Sequence, residues 1–208
     1  MMKIKLIVPL IFLIGWLSTG TSQTVHYKAL ESSQLWFDGT STLHDFTCYA
    51  TEFQAEATFS PSLLTGQAGE IQMGQVTIPV EKIKHDNDGL NKNMYKTLEP
   101  EEWPEINFDL NAINVAETAL SDHLIKTNVT GDLTIKDETR EIAFPVEVKS
   151  VENADTVHVN GAYSLLLSNF DIDRPSFFLG TLKVGDEINI QFDLTFVRAS
   201  EYKEVTIR

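Results

Sequence analysis

The sequence predicts an all-β protein whose antiparallel sheet curls around its own apolar face, and three observations lead to this prediction. Residues Asp186 to Arg198 alternate between apolar and polar side chains, which is typical of a half-buried β-strand. Several further stretches alternate in the same way and are separated by turn residues. The chain has 208 residues, a length that suits one β domain. Strands with one apolar face need a shared interior, and a curled antiparallel sheet provides it.

The first residues have the layout of a secretory signal peptide. Lys3 and Lys5 precede an apolar run from Leu6 to Leu17, and small and polar residues follow it. We therefore predict that residues 1–22 are a cleaved signal peptide and that residues 23–208 form one domain in the periplasm or outside the cell. A membrane anchor is the alternative, but the run is shorter than the roughly 20 apolar residues that span a bilayer. No later segment is predicted to span a membrane as a helix.

Charge and cysteine content limit the expected partners. The formal net charge is −14, and removal of Lys3 and Lys5 with the signal peptide makes it −16. A protein this acidic is expected to repel nucleic acid and anionic membrane surfaces. The single cysteine, Cys48, excludes an intramolecular disulfide, and we interpret it as a small buried hydrophobic residue. These features leave the oligomeric state open, and a homodimer is compatible with them.

The N-terminal half is predicted to contain strands followed by one helix. Between Leu35 and Phe59 the alternation breaks at Gly39 and resumes, which predicts a first hairpin or one long kinked strand. A turn precedes the next predicted strand at residues 71–80. Between Asp88 and Leu98 apolar residues recur at every fourth position, which predicts a helix with one narrow apolar stripe. As the one helix predicted among strands, it is expected to act as a lid.

The C-terminal half is predicted to be a meander of antiparallel strands. The predicted strands cover residues 106–112, 125–135, 142–148, 157–167 and 186–198, with turns at 136–140 and 152–155 and a loop at 169–185. Asn160–Gly161 has the composition of a hairpin turn, but a turn there would leave a strand of only a few residues. We therefore predict a glycine kink in one curved strand.

An outer-membrane barrel also fits a series of alternating strands after a signal peptide. Its strands need roughly 9–11 residues with aromatic residues at both ends. The predicted strands at residues 106–112 and 142–148 are shorter, and their aromatic residues lie in the middle. Acidic residues on the polar face also suit a solvated outer surface better than a narrow lumen. We therefore favour a barrel whose apolar face points inward.

The sequence lacks the familiar catalytic and metal-binding motifs, including HExxH, CxxC and GxSxG. Two His-Asp pairs, His44–Asp45 and His85–Asp86, are the nearest approach to a catalytic arrangement. Neighbouring residues of a strand point to opposite faces, so neither pair converges on one atom. We interpret these histidines as satisfied or solvated, and we predict neither enzymatic activity nor a metal site.

The predicted interior is apolar throughout and rich in phenylalanine. An eight-stranded barrel is just wide enough to be filled by its own side chains or to hold one slender ligand. The residues alone therefore leave two alternatives open. One is a barrel that binds a ligand, and the other is a ligand-free structural or interaction module with a filled core.

Four segments resemble the YceI-like family of exported, lipocalin-like barrels. They are SQLWFDGTSTLHDF at 33–46, LNKNMYKTLEPEEWPEINFDL at 90–110, VTGDLTIKDETREIAFPVEV at 129–148 and LLLSNFDIDRPSFFLGTLKVGDEINIQFDL at 165–194. In order, they supply a Gly-Thr-Ser strand, a short helix before a proline-led strand, a Gly-x-Leu-Thr-Ile hairpin and a Phe-x-Ile-x-Arg loop. Their order and spacing are together specific, and they cover nearly all of the mature chain.

The resemblance implies an antiparallel, eight-stranded, lipocalin-like barrel that holds a polyisoprenoid or quinone-like lipid, for carriage or sequestration. Binding of an isoprenoid tail would rest on burial of apolar surface and would need no other cofactor. Strand parity then selects the expected lining, to which the helix adds Met94 and Leu98. The strand residues are Phe37, Phe108, Leu110, Val129, Phe144, Val146, Tyr163, Leu165, Ile190, Phe192 and Leu194. His44, Asn91 and Arg174 are candidates for contact with a polar head group at the mouth.

Overall fold

A computed structural model describes residues 24–65, 67, 71–113, 119–121, 124–151, 155–177 and 182–200. Within these ranges the strands are β1 (Val25–Ala29), β2 (Gln34–Ser41), β3 (Phe46–Ala50), β4 (Gln54–Phe59), β5 (Ile71–Pro79), β6 (Ile83–Lys84), β7 (Glu105–Ile113), β8 (Ala119–Ser121), β9 (Leu124–Ile135), β10 (Glu138–Val151), β11 (Thr156–Leu166), β12 (Ser176–Phe177) and β13 (Leu182–Arg198). One α-helix, α1 (Asp88–Leu98), joins them. The predicted signal peptide lies outside the described residues, as does most of the predicted turn at 152–155.

The strands close into an antiparallel barrel with eight strand positions. Single strands β7, β9, β10, β11 and β13 fill five positions, and consecutive strand pairs β1 with β2, β3 with β4, and β5 with β6 fill the other three. Strand β13 pairs with β11 on one side and with β2 and β1 on the other, which closes the sheet. The predicted eight-stranded antiparallel barrel with one helix is therefore confirmed.

The hairpin of β9 and β10 shows how alternation produces the two faces of the wall. Along β9 every second residue from Ile125 to Ile135 is buried, and the residues between them are partly or fully exposed. Twelve residue pairs join the two strands without a register shift. The turn is shorter than the predicted 136–140, because Glu138 to Arg140 already belong to β10 and pair with Ile135 to Leu133 of β9. Lys136 makes the tight turn with a left-handed φ of 58°.

Strand β11 runs uninterrupted through Gly161, as predicted. Eleven residue pairs join it to β13, from Thr156 with Val197 to Leu166 with Glu187. A hairpin at Asn160–Gly161 is therefore excluded. The strand predicted at residues 186–198 begins earlier than expected, because β13 starts at Leu182.

Two expectations about the strands were wrong. Strand β1 was not predicted, because its five residues VHYKA include two polar side chains and its partners, β4 and β13, are distant in sequence. Strands β9, β10 and β13 contain 12, 14 and 17 residues, so short strands do not distinguish this barrel from other classes. The conclusion drawn from them, an apolar face that points inward, nevertheless agrees with the structure.

Helix α1 has the predicted bounds, and both of its ends are capped. The Asn87 side chain accepts hydrogen bonds from the N–H groups of Gly89 and Leu90 at 2.8 and 3.1 Å. At the other end Glu99 adopts a left-handed φ of 51°, and its N–H donates to the Tyr95 carbonyl at 2.8 Å. In the described part of the chain, no helix is both long and apolar enough to cross a membrane.

The inward position of Phe192 and the outward position of Asp193 give a test of strand parity. We expect Phe192→Asp to lower the free energy of unfolding by about 3–5 kcal/mol, because it removes a packed ring and places a carboxylate in an apolar interior. Asp193→Ser changes an exposed side chain and should alter it by less than about 0.5 kcal/mol. Chemical denaturation measures both values, and equal losses for the two variants would contradict the parity.

Candidate functional site

The barrel encloses a cavity of about 810 Å³. Small-molecule pockets in proteins typically have volumes of roughly 300–1,000 Å³, so this cavity is large enough for a sizeable ligand. Its wall is built from inward-facing side chains of every strand position and from one side of α1. The filled-core alternative predicted no lumen, and the structure contradicts it on that point.

The side chains selected by parity all line this cavity. They are Phe37, Phe108, Leu110, Val129, Phe144, Val146, Tyr163, Leu165, Ile190, Phe192 and Leu194 of the strands, with Met94 and Leu98 of α1. Their position in the wall therefore agrees with the sequence analysis. Contact of these residues with a ligand stays a prediction.

Aromatic side chains cluster around Phe144 on one wall of the cavity. The Phe144 ring centroid lies 5.5 Å from that of Phe108, 5.8 Å from Tyr163 and 6.0 Å from Phe192. The rings are tilted or edge-on to one another, which is the favourable arrangement for aromatic pairs. This cluster joins side chains of β7, β10, β11 and β13 in one packed apolar surface.

Inward-facing glycines lie beneath several of the phenylalanine rings. The pairs are Gly39 with Phe46, Gly131 with Phe108, and Gly161 with Phe192. A Cβ added at Gly161 would lie 2.7 Å from Cζ of Phe192 and 2.9 Å from the carbonyl oxygen of Pro145. These distances are shorter than real Cβ contacts, so the rings occupy the space that a side chain would take. The rings thereby pack against the backbone of the wall and leave the middle of the lumen open.

The end of the barrel opposite α1, which we call the far end, is covered by apolar residues. A 3₁₀ turn at Pro61–Thr65 reaches across to β10, and its Leu63 and Leu64 line the cavity. Nearby, the fully buried Tyr27 stacks on Phe59 with ring centroids 4.7 Å apart. Apolar contact is therefore what this end offers to a ligand.

Helix α1 covers the other end, which we call the helix end. None of its residues is fully buried, although Leu90, Met94 and Leu98 pack against the core. The Tyr95 hydroxyl donates to the carbonyl of Ile83 at 2.7 Å. Glu99, just after the helix, forms an ion pair with Lys136 of the β9–β10 turn at 2.5 Å. The Tyr95 hydrogen bond and the Glu99–Lys136 ion pair thus hold the helix against the barrel. Its position over one end is the position expected of a lid.

Polar lining side chains are concentrated at the helix end. Six of them lie there, namely Ser41, His44, His85, Asn87, Asn93 and Thr97. Among the described lining residues none is lysine or arginine. In the part of the wall that the structure describes, the one acidic residue is Glu56, and its carboxylate already pairs with Lys28 at 2.8 Å. The cavity is therefore apolar along most of its length and polar but without a cation at one end.

The three predicted head-group residues occupy different places. His44 lines the helix end, whereas Asn91 and Arg174 do not line the cavity. The Asn91 amide instead bonds the backbone of His85, accepting from its N–H at 2.7 Å and donating to its carbonyl at 2.8 Å. Arg174 is exposed and lies near Asp186, whose pKa is lowered mainly by hydrogen bonds from Ser168 and to a smaller extent by the Arg174 charge.

The sequence analysis missed most polar lining residues, His85 among them, because a polar residue on a polar stretch gives no sequence signal for facing a cavity. Cys48 also lines the cavity and is buried, as expected. Burial, with a contribution from Asp38, raises the pKa of its thiol to about 11, so Cys48 is protonated at neutral pH. Among the described residues, no three His, Cys, Asp or Glu side chains are grouped as metal ligands would be.

The sequence and the fold are similar to those of known proteins. The YceI-like domain family model matches residues 26–196. BcnA of Burkholderia cenocepacia is similar in structure, with a TM-score of 0.61 and 24% identity over 78% of this chain and 95% of that one. A polyisoprenoid binding domain from Saccharophagus degradans, implicated in plant cell wall breakdown, has a TM-score of 0.64 and 13% identity over 84% and 99%.

A YCEI protein of Campylobacter jejuni is similar as well, with a TM-score of 0.55 and 16% identity over 71% of this chain and 82% of that one. A comparison with curated proteins finds no match. The family match covers most of the chain and agrees with the closed barrel, its single helix and its lumen. The protein belongs to the YceI-like family.

Proposed function

We propose that this protein is an exported binding protein that carries or sequesters a polyisoprenoid or another long-chain amphiphile, such as a quinone-like lipid, in its lumen. The apolar cavity of about 810 Å³ is the observation that carries this proposal. An isoprenoid tail makes no hydrogen bonds, so its affinity comes from burial at about 0.8 kcal/mol per CH₂ group. A wall of phenylalanine and branched aliphatic side chains suits such a tail.

The polar side chains at the helix end favour an amphiphile over a plain hydrocarbon as the ligand. A ligand with one polar group can place it among Ser41, His44 and Asn93 while its tail extends toward Leu63 and Leu64. The similar domain from Saccharophagus degradans is described as polyisoprenoid binding, which supports the same class of ligand for this barrel. At 13% identity, that similarity concerns the fold, and the ligand class rests on the cavity.

Export and localisation form the second part of the proposal. The two lysines, the apolar run and the polar residues that follow support cleavage of residues 1–22 and a periplasmic or secreted domain. After cleavage the domain has no predicted transmembrane segment. Its charge of −16 also disfavours nucleic acid as a partner.

The site supports binding better than catalysis. Its two histidines, His44 and His85, lie on different segments. In each of them Nδ1 forms a hydrogen bond with a backbone group rather than with a neighbouring acid or nucleophile. Among the described lining residues the one acidic side chain is Glu56, and its carboxylate pairs with Lys28. Such an arrangement lacks the coupled proton acceptor and orienting group that nucleophilic or acid–base catalysis needs.

Uptake of a lipid by the mature protein tests the proposed function. After removal of bound lipid with organic solvent and refolding, one molecule of a polyprenyl quinone should bind per chain, as measured by native mass spectrometry. Ala57→Trp places a large side chain in the lumen and should abolish uptake. Ala143→Trp adds the same ring at an exposed position and should leave uptake unchanged. Failure of the unmodified protein to bind, or equal uptake by both variants, would contradict lumen binding.

The glycine beneath Phe46 gives a second test. In Gly39→Ala the new methyl group would meet the Phe46 ring and, at 2.9 Å, Cδ1 of Ile188, and both are side chains that can move into the lumen. We expect uptake of the quinone to fall about tenfold, while the double variant with Phe46→Leu regains most of it because the smaller side chain leaves room. Titration followed by native mass spectrometry measures both, with thermal unfolding as a check on folding. Normal uptake by folded Gly39→Ala would show that this pair does not set the width of the lumen.

A further inference from the structure

His85 is held in one position at the helix end by several hydrogen bonds. The Asn91 side chain bonds both its backbone N–H and its carbonyl, at 2.7 and 2.8 Å. Its ring Nδ1 accepts a hydrogen bond from the N–H of Asn87 at 2.8 Å. Asn87 in turn caps the first turn of α1. The backbone and ring of His85 are therefore fixed relative to the lid.

The bond at Nδ1 determines which ring nitrogen carries the proton. A backbone N–H can only donate, so Nδ1 must present a lone pair. Neutral imidazole then carries its proton on Nε2, which becomes a hydrogen-bond donor. Within the described ranges no protein atom accepts from Nε2, and His85 lines the cavity. At the helix end, Nε2–H of His85 is thus a donor of fixed tautomer without a partner among the described residues.

The surrounding charges restrict which kind of acceptor can bind to this donor. No described lining residue is lysine or arginine. Lys84, which precedes His85, is exposed outside the lining, and its ammonium lies 5.0 Å from the centroid of the Tyr95 ring. Asp86 and Asp88, which follow His85, are acidic. A phosphate or carboxylate head group would leave water for a site without a compensating cation, which is unfavourable. An uncharged oxygen acceptor loses little solvation and gains a hydrogen bond.

We propose that His85 is a specificity-determining residue, whose Nε2–H donates to an uncharged oxygen acceptor, such as a carbonyl, on the head group of the bound lipid. The inference rests on the proposed function, because it concerns the polar end of the same ligand. Asn91 acts as a positioning residue, since it contacts His85 rather than the cavity. The apolar tail supplies most of the affinity, and His85 selects among head groups on similar tails.

Binding of three probes with the same isoprenoid length tests this assignment. They are a polyprenyl quinone, an isoprenoid hydrocarbon without a head group and a polyprenyl phosphate, each titrated into the delipidated mature protein. We expect the unmodified protein to bind the quinone at least tenfold more tightly than the phosphate. His85→Leu should weaken quinone binding about three- to tenfold, the effect of one neutral hydrogen bond. It should leave hydrocarbon binding within twofold, and His85→Gln, which keeps a donor, should retain most of the quinone affinity.

Two results would overturn the assignment. One is an equal loss of affinity for the quinone and for the hydrocarbon in His85→Leu, which would make His85 a purely structural residue. The other is phosphate binding as tight as quinone binding, and this comparison uses only the unmodified protein, so it holds even where a variant does not fold. Failure of both the quinone and the hydrocarbon to bind the unmodified protein would instead contradict the proposed function.

Discussion

Antiparallel hydrogen bonding between β13 and both β1 and β2 closes the sheet, and this closure fixes which face of every strand is enclosed. In a closed barrel, a slip of one residue in any pair would turn the whole apolar set of a strand toward solvent. Strand β13 contributes Ile188, Ile190, Phe192, Leu194 and Phe196 to the interior along its length. The long ladders of β9 with β10 and of β11 with β13 run without a register shift.

The same closure creates the lumen, and the lumen has an energetic cost. Side chains around an empty cavity lose packing partners on one side. The barrel limits this loss by packing rings on glycines and by clustering aromatic side chains around Phe144. A lipid in the lumen would restore the missing contacts and would stabilise the folded state, because it binds the folded chain and not the unfolded one. Stability and ligand binding are therefore linked in the proposed function.

Much of this structure was predictable because its causes are local. The every-fourth-residue stripe and the prolines that follow gave the bounds of α1, and alternation gave the inward parity of β9, β11 and β13. Strand β1 was missed because its pairing with β4 and β13 depends on the closed barrel rather than on its own five residues. The turn after Ile135 was predicted too long, because Glu138 to Arg140 are polar like turn residues and yet pair with β9. The role of Asn91 depends on side-chain bonds to a backbone six residues away, and a sequence pattern does not reveal such bonds.

In the proposed function, the lumen holds a long-chain amphiphile in the protein as the cell makes it. Native mass spectrometry of the full chain, produced with its own first 22 residues and recovered without detergent, tests this most directly. We expect a mature chain that lacks the signal peptide and carries one apolar molecule, which solvent extraction releases. Recovery of correctly folded chains that carry nothing, across several preparations, would contradict it.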